Sequence, residues 1–280
     1  MFQVRVMSVE DYGFAVNLAN TMNWNMARED FGFNQFLEPE GCLVLFDGLV
    51  PVGMATCVGF GKVGWFGNFV VRRECRGKGG GRLLLEHATN YLWGRGVESI
   101  GLYVYPHLVE FYGRFGFEAD MDFTVMCNHC LQVDNLVVDK FESQPNFSML
   151  ARFDSQFFGA DRSRLLKSIM REKNSLCYAS IDGKEVTGYV LAKVYEDTTV
   201  EVGPLVCCRE KSDVAVNLLK AVLSELSNRR VFLYLPQNQV LLEEFLLGLG
   251  FRKDFSLSRM FLGKSKIQNY IHLAESLERG

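Results

Sequence analysis

The densest chemistry in this chain lies in one short run, Arg76-Gly77-Lys78-Gly79-Gly80-Gly81-Arg82-Leu83-Leu84. Glycines let a backbone approach a ligand closely and adopt positive φ, and Arg76 and Lys78 add positive charge. If the run opens a helix, the first backbone N–H groups have no partner within that helix. The combination suits two linked phosphates. Other phosphate patterns fail on inspection. A P-loop needs Gly-Lys followed by Ser or Thr, and Lys78 is followed by Gly79. A formal GxGxxG at Gly59, Gly61 and Gly64 lies between two strand-like runs instead of before a helix. Asp30-Phe31-Gly32 mimics a kinase element, but its order is reversed and there is no His-Arg-Asp loop. The alternative is a glycine turn with a purely structural role. Cys127-Asn128-His129-Cys130 offers three zinc ligands where a closed site needs four, and no second CxxC or spaced His pair accompanies it. No metal is expected. Most of the eight cysteines sit in apolar runs, where a reduced thiol behaves as a small hydrophobe.

The elements that must position the loop can be read from periodicity. Residues 8–22 predict a helix with Ser8 as N-cap and Glu10 and Asp11 in its first turn. A second, short helix is expected over 27–37. Strands follow at 42–46, 52–60 and 63–71, the first two joined through Asp47-Gly48. Residues 80–93 read as a helix, with Leu84, Ala88 and Tyr91 on one face and Gly94 and Gly96 at its end. A strand at 99–105, a short helix at 108–115 and strands over 117–131 complete the half. The glycine run therefore stands between a strand and a helix, which is the context that phosphate binding requires.

The second half repeats this plan. Residues 110–117, with Tyr112, line up with 244–251, with Leu246, at an offset of 134, and Gly67–Val71 lines up with Gly203–Cys207 at 136. Two offsets this close point to an internal duplication, with domains 1–131 and 132–280; chance similarity between two α/β halves is the alternative. The fold class is α/β, a mixed sheet in each half. Apolar Ile267, Tyr270, Ile271, Ala274 and Leu277 predict a terminal helix that docks on a domain or on a second subunit, which leaves a homodimer open.

Bulk composition narrows the function. Of 280 residues, 48% are hydrophobic and 22% charged, with a net charge of -3, so neither nucleic acid nor an anionic membrane is the expected partner. The first residues lack a signal-peptide pattern, and no apolar run reaches the roughly 18 residues of a membrane span. A cytoplasmic protein is expected.

A strand, then Arg/Gln-x-x-Gly-x-Gly/Ala, then a helix resembles the acetyl-CoA loop of the GNAT superfamily of N-acetyltransferases. Arg76, Gly79 and Gly81 hold the defining positions. Phe111-Tyr112-Gly113-Arg114-Phe115-Gly116-Phe117 is similar to that family's aromatic-Tyr-x-x-x-Gly-Phe element. The layout also looks like a tandem GNAT subgroup, in which Phe158-Gly159-Ala160-Asp161-Arg162 opens the second domain's helix. The resemblance implies mostly antiparallel sheets flanked by helices. It implies that Phe69, Val70 and Val71 hold the pantetheine arm, that Arg76, Gly77, Lys78, Gly79, Gly80 and Gly81 wrap the pyrophosphate, and that Tyr112 lies close to the thioester sulfur. Arg73, Cys75 and Tyr105 depart from residues common in the family.

On that basis, acetyl-CoA would be the co-substrate and a small-molecule primary amine the acceptor. A phenol of pKa about 10 can protonate a thiolate whose acid lies near ~8.5, so Tyr112 is the expected general acid. No base is legible. His107 is a candidate because histidine is the residue type most often used as a base near neutral pH, though surface or capping duty is the commoner use, and water or a substrate group could take the proton. Trp24 could pack on the acceptor or on the core. Glu29, Asp30 and Glu38 could favour a cationic amine. In the second half Ser212, Ala215 and Asn217 stand opposite Arg76, Gly79 and Gly81, and Leu246 opposite Tyr112, so that half should bind no acyl-CoA. Two rival readings stay open: an acyl-CoA-binding sensor without catalysis, and a protein or peptide N-acetyltransferase.

Overall fold

The computed structural model describes residues 1–133, 141–195, 198–208, 212–267 and 271–280. Contacts divide the chain into two units. One is Met1–Leu102 with Leu262–Ser265 and Arg279; the other is Tyr103–Phe261 with Lys266–Glu278 and Gly280.

The first unit carries, in order, β1 (Phe2–Val6), β2 (Cys42–Asp47), β3 (Val50–Phe60), β4 (Val63–Val71) and, as far as Leu102, β5 (Ser99–Val104). Every pairing is antiparallel except the parallel β4–β5 contact. Helices α1 (Tyr12–Asn20), α2 (Arg28–Leu37) and α3 (Gly80–Gly94) flank the sheet. The expected first helix opens as a 3-10 turn, Val9–Asp11, because Asp11 accepts both the Ser8 N–H at 2.8 Å and the Ser8 hydroxyl at 2.9 Å. In α3 the buried residues Gly80, Leu84, Leu85, Ala88, Thr89 and Leu92 form one helical stripe. Tyr91 lies at its margin, and its hydroxyl reaches Glu38 at 2.6 Å.

The second unit holds α4 (Val109–Gly113), β6 (Glu118–Asn128), α5 (Phe147–Phe158), α6 (Ser163–Arg171), β7 (Leu176–Asp182), β8 (Glu185–Tyr195), β9 (Thr199–Cys207), α7 (Ser212–Ser224), β10 (Arg230–Pro236), α8 (Val240–Gly248), β11 (Arg252–Leu262) and β12 (Ile271–Leu273). Its strand order is β11-β6-β10-β9-β8-β7, with β12 beside β9. The duplication is visible in detail. β6 and β11 are both 11 residues long and share one burial pattern, exposed in the first half and buried in the second. β6 lies between β10 and β11, antiparallel to both, so a strand from the first sequence repeat is built into the second unit's sheet. Leu246 of α8 packs in that unit's core with Leu233, Leu235 and Leu219.

Two expectations are corrected here. The terminal helix does not form where residues 271–273 make a strand on β9, because neighbours on every side bury this segment and override its local period. Tyr270 lies outside the described residues. The Phe158–Arg162 stretch does not open a helix directly: Gly159 ends α5 at φ +80, and α6 begins at Ser163, whose N–H Asp161 accepts at 2.8 Å. Among the described residues no helix is long and apolar enough to cross a membrane, and no group of three or more His, Cys, Asp or Glu could hold a metal ion.

Candidate active site

β4 starts as an ordinary inner strand, with Val63, Gly64 and Trp65 in parallel register with Ser99, Ile100 and Gly101. Beyond Trp65 its pairing with β5 stops among the described residues. On the opposite edge the β3 register slips by one: Thr56 faces Gly67 and Met54 faces Val70, so Asn68 and Phe69 together oppose Ala55. This is a β-bulge, and it bends the strand away from a flat ladder. Asn68 sits at φ +49, a left-handed backbone that asparagine tolerates better than most residues, and its amide donates to Thr56 Oγ1 at 3.1 Å. No sequence signal marked this residue. After the bulge, the Arg72 N–H bonds the Val52 carbonyl at 2.8 Å. Because bonding alternates along an antiparallel ladder, Val70 also faces β3, and Val71 turns its N–H and C=O the other way.

The loop that follows is organised by its own residues. Arg73–Cys75 form a 3-10 turn, and Arg76 Nε donates back to the Val71 carbonyl at 2.8 Å. Arg76 thus clasps the end of β4 as well as carrying charge. Gly77 and Gly79 take φ +73 and +89, with open space where a Cβ would stand. Gly79 is the N-cap of α3 and has no side chain to accept from the first turn. The first helical bond runs from the Leu83 N–H to the Gly79 carbonyl at 3.1 Å, which leaves the earlier N–H groups of Gly80, Gly81 and Arg82 outside the helical ladder. Gly80 is glycine for another reason: a Cβ there would lie 2.9 Å from Leu45 Cδ2 and 3.2 Å from the Phe2 ring. At Gly81 the nearest atom is the Phe69 ring at 3.4 Å, ordinary contact, so alanine fits. A cradle of N–H groups beside exposed Arg76 and Lys78 is donor chemistry for a linked phosphate anion.

The other expected residues divide between the units. Trp24 belongs to the first unit and is half-buried against the cluster of Met7, Ala15, Leu18 and Met54, beside Met22 and Phe46. Tyr112 and His107 belong to the second. Tyr112 is buried on α4, with edge-on contacts to Phe111 at 5.1 Å and Phe117 at 5.7 Å, and burial pushes its phenol well above the ordinary tyrosine range. His107 is exposed on the 3-10 turn Pro106–Leu108, stacked on Tyr105 at 5.8 Å.

The acidic residues offered for a cationic acceptor need correcting. Glu38 is buried and already engaged: it accepts the Gly59 N–H at 3.1 Å and the Tyr91 hydroxyl at 2.6 Å, with Arg95 at 3.5 Å. Asp30 caps α2 by accepting the Ala27 N–H at 2.8 Å. Only Glu29 of the three is not tied up in this way among the described contacts.

The counterpart loop in the second unit shows why a constant offset fails there. Residues 72–79, eight in number, join β4 to α3, whereas residues 208–211, four in number, join β9 to α7. Ala215 therefore stands inside α7, one turn past the position equivalent to Gly79. Residues 209–211 lie outside the described residues. The second connection is thus half the length of the first.

Comparison with known proteins agrees with this geometry. Residues 11–117 match the model of the acetyltransferase (GNAT) family, and residues 150–272 match a second model, an acetyltransferase (GNAT) domain. A curated relative, serotonin N-acetyltransferase 2 of the rice chloroplast (Oryza sativa subsp. japonica), is 40% identical over 75 residues, 26% of this chain. The chain spans only 36% of that relative's length. A Pyrococcus horikoshii protein with an inferred acetyltransferase assignment has a similar solved structure, with a TM-score of 0.81 and 21% identity over 100% of this chain and 96% of its own. A tandem GNAT protein from the clavulanic acid biosynthesis pathway gives 0.62 and 14%, over 95% of this chain and 100% of its own. With both halves matched by GNAT models, and with the bulged strand and glycine cradle in place, the chain belongs to the GNAT acetyltransferase superfamily and carries two GNAT domains in tandem.

Proposed function

We infer that this protein moves an acetyl group from acetyl-CoA to a primary amine of a small molecule, and that the first unit holds the co-substrate. The observation that carries this reading is the sequence of bulge, outward-facing Val71 and N–H cradle, which offers strand-like amides followed directly by phosphate donors. Phe69, Val70 and Val71 would hold the pantetheine arm; Arg76, Gly77, Lys78, Gly79, Gly80 and Gly81 would hold the pyrophosphate. Acetyl-CoA would supply the thioester, whose C–S bond breaks as the C–N bond forms, with one proton leaving the amine and one reaching the sulfur. Tyr112 keeps its phenolic proton because burial penalises the phenolate, and it is the donor in this reading. The same burial makes the proton harder to release, so the step depends on a pocket that penalises a bare thiolate as much. The amine's proton leaves to water or to the acceptor itself. Trp24 and His107 are the proposed acceptor-side residues.

The direct test is to incubate the purified protein with acetyl-CoA and a panel of small amines and to follow thiol release. Turnover with a small amine supports the reading. Tight CoA binding with no thiol release for any amine or peptide would replace it with a sensor, and turnover on peptides alone with a protein acetyltransferase.

A further inference from the structure

β9 copies β4 in its pairing. Thr199, Val200, Glu201 and Val202 run parallel to Arg230, Val231, Phe232 and Leu233 of β10, as the start of β4 does to β5. The bulge recurs too: Ala192 faces Val202 and Val190 faces Leu205, so Gly203 and Pro204 oppose Leu191 alone. Past that bulge the copies differ. β12 lies antiparallel on β9, with Leu273 against Leu205 and Ile271 against Val206. The Ala274 N–H then reaches the Tyr234 carbonyl of β10 at 3.2 Å, so one segment bridges both strands where their own ladder ends. A Cβ on Gly203 would stand 2.0 Å from the Ala274 carbonyl oxygen. The bulge leaves room for this segment only because residue 203 has no side chain.

Side chains as well as backbone hold the segment. Leu273 is fully buried in the unit's core. Lys193 of β8 donates to Glu275 at 2.6 Å and pairs with Glu201 as well, and the Ser276 hydroxyl reaches Glu275 at 2.8 Å. Arg162, fixed by two 2.9 Å bonds to Asp154, donates to the Gly280 carbonyl at 2.6 Å.

We propose that residues 271–275 are the built-in occupant of the second repeat's acyl-CoA slot, a strand of the chain itself standing where the first repeat takes the pantetheine arm. A pantetheine arm presents amide groups in an extended chain, and a β-strand presents the same groups at similar spacing. The shortened loop after β9 removes the phosphate site, and the segment takes the rest. The protein accordingly binds one CoA per chain. The proposal rests on the co-substrate reading of β4, and its test keeps the two apart.

Residue-resolved amide exchange on the full chain, with and without CoA, is the experiment. Without CoA, the Leu205 amide should exchange at least 100-fold more slowly than the Val71 amide. Saturating CoA should slow Val71 at least tenfold and leave Leu205 unchanged. Gly203→Val should speed exchange at Leu205 and Leu273 at least tenfold while Val200 and Val202 stay protected. If that variant loses protection throughout, Leu273→Asn, which weakens the docking without crowding the bulge, gives the same readout. Leu205 exchanging as freely as Val71, or slowing when CoA is added, overturns the proposal. A CoA titration that leaves Val71 untouched while Leu205 behaves as expected defeats the β4 reading instead, and the docked segment then has no cofactor to stand in for.

Discussion

In the proposed co-substrate site the backbone of Gly79 would itself be the functional group. Its φ of +89 is a left-handed backbone at which any L-residue carries strain of roughly 1–2 kcal/mol. In Gly79→Ala the loop should relax toward negative φ and weaken CoA binding by about tenfold, read by calorimetric titration. Gly80→Ala is the contrasting variant. Its methyl meets Leu45 and Phe2, so it should lower stability by about 1 kcal/mol in urea unfolding and change CoA affinity little. Equal affinity losses in the two would mean that the distinction between conformational and packing glycines is wrong. Tyr112 makes a separate prediction. Tyr112→Phe should reduce kcat roughly 100- to 1,000-fold while the CoA dissociation constant stays within about threefold. Burial raises the folded phenol's pKa, so the protonated donor persists as pH rises, and the wild-type rate should show no alkaline fall assignable to this group at or below about pH 10. An alkaline limb near pH 8 to 9 that Tyr112→Phe abolishes would contradict that assignment.

Among the elements, those whose identity is written locally were legible in the sequence. The β4–loop–α3 unit could be read because a strand period, a glycine run and a helix stripe follow one another within about thirty residues. The bulge at Asn68 could not, since one asparagine in an apolar strand looks the same flat or bulged until β3 sets the register. β12 was misread for a related reason. Ile271 and Ala274 fit a helical face, but His272, Glu275 and Ser276 are buried as well, and only the surroundings of β9 decide the outcome. Those surroundings give this element a pH dependence. Burial pushes the His272 imidazole down to about 4, against about 6.5 in an unfolded chain. Between those values the unfolded state binds more protons, so stability rises with pH across the window, is fully present above about 6.5, and is lost toward 4. The ceiling is on the order of 3 kcal/mol. His272→Gln removes the titration, and the difference in urea midpoint between pH 5 and pH 7 should shrink relative to wild type. An unchanged difference would mean that His272 titrates normally.

Taken as a whole, the chain is a duplication whose halves no longer match its folding units. Sequence similarity puts the joint near residues 132–135, whereas contacts divide the chain between Leu102 and Tyr103. The discrepancy comes from β6, which belongs to the first repeat by sequence and to the second unit by pairing, a relation set by strands more than a hundred residues away and silent in any local pattern. It ties a strand of the first repeat to pairing partners in the second. In a chain ending at Leu131, β6 would keep Phe123, Val125, Met126 and Cys127, all buried in the native protein, but lose β10 and β11 from both edges. A strand with an apolar face and two unpaired edges is a template for association. Residues 1–131 expressed alone should therefore aggregate or elute as large oligomers on size exclusion, although they contain the entire glycine cradle. Soluble, monomeric 1–131 with a cooperative unfolding transition would show that β6 has a partner within its own repeat, and that its pairing with β10 and β11 is not what joins the repeats.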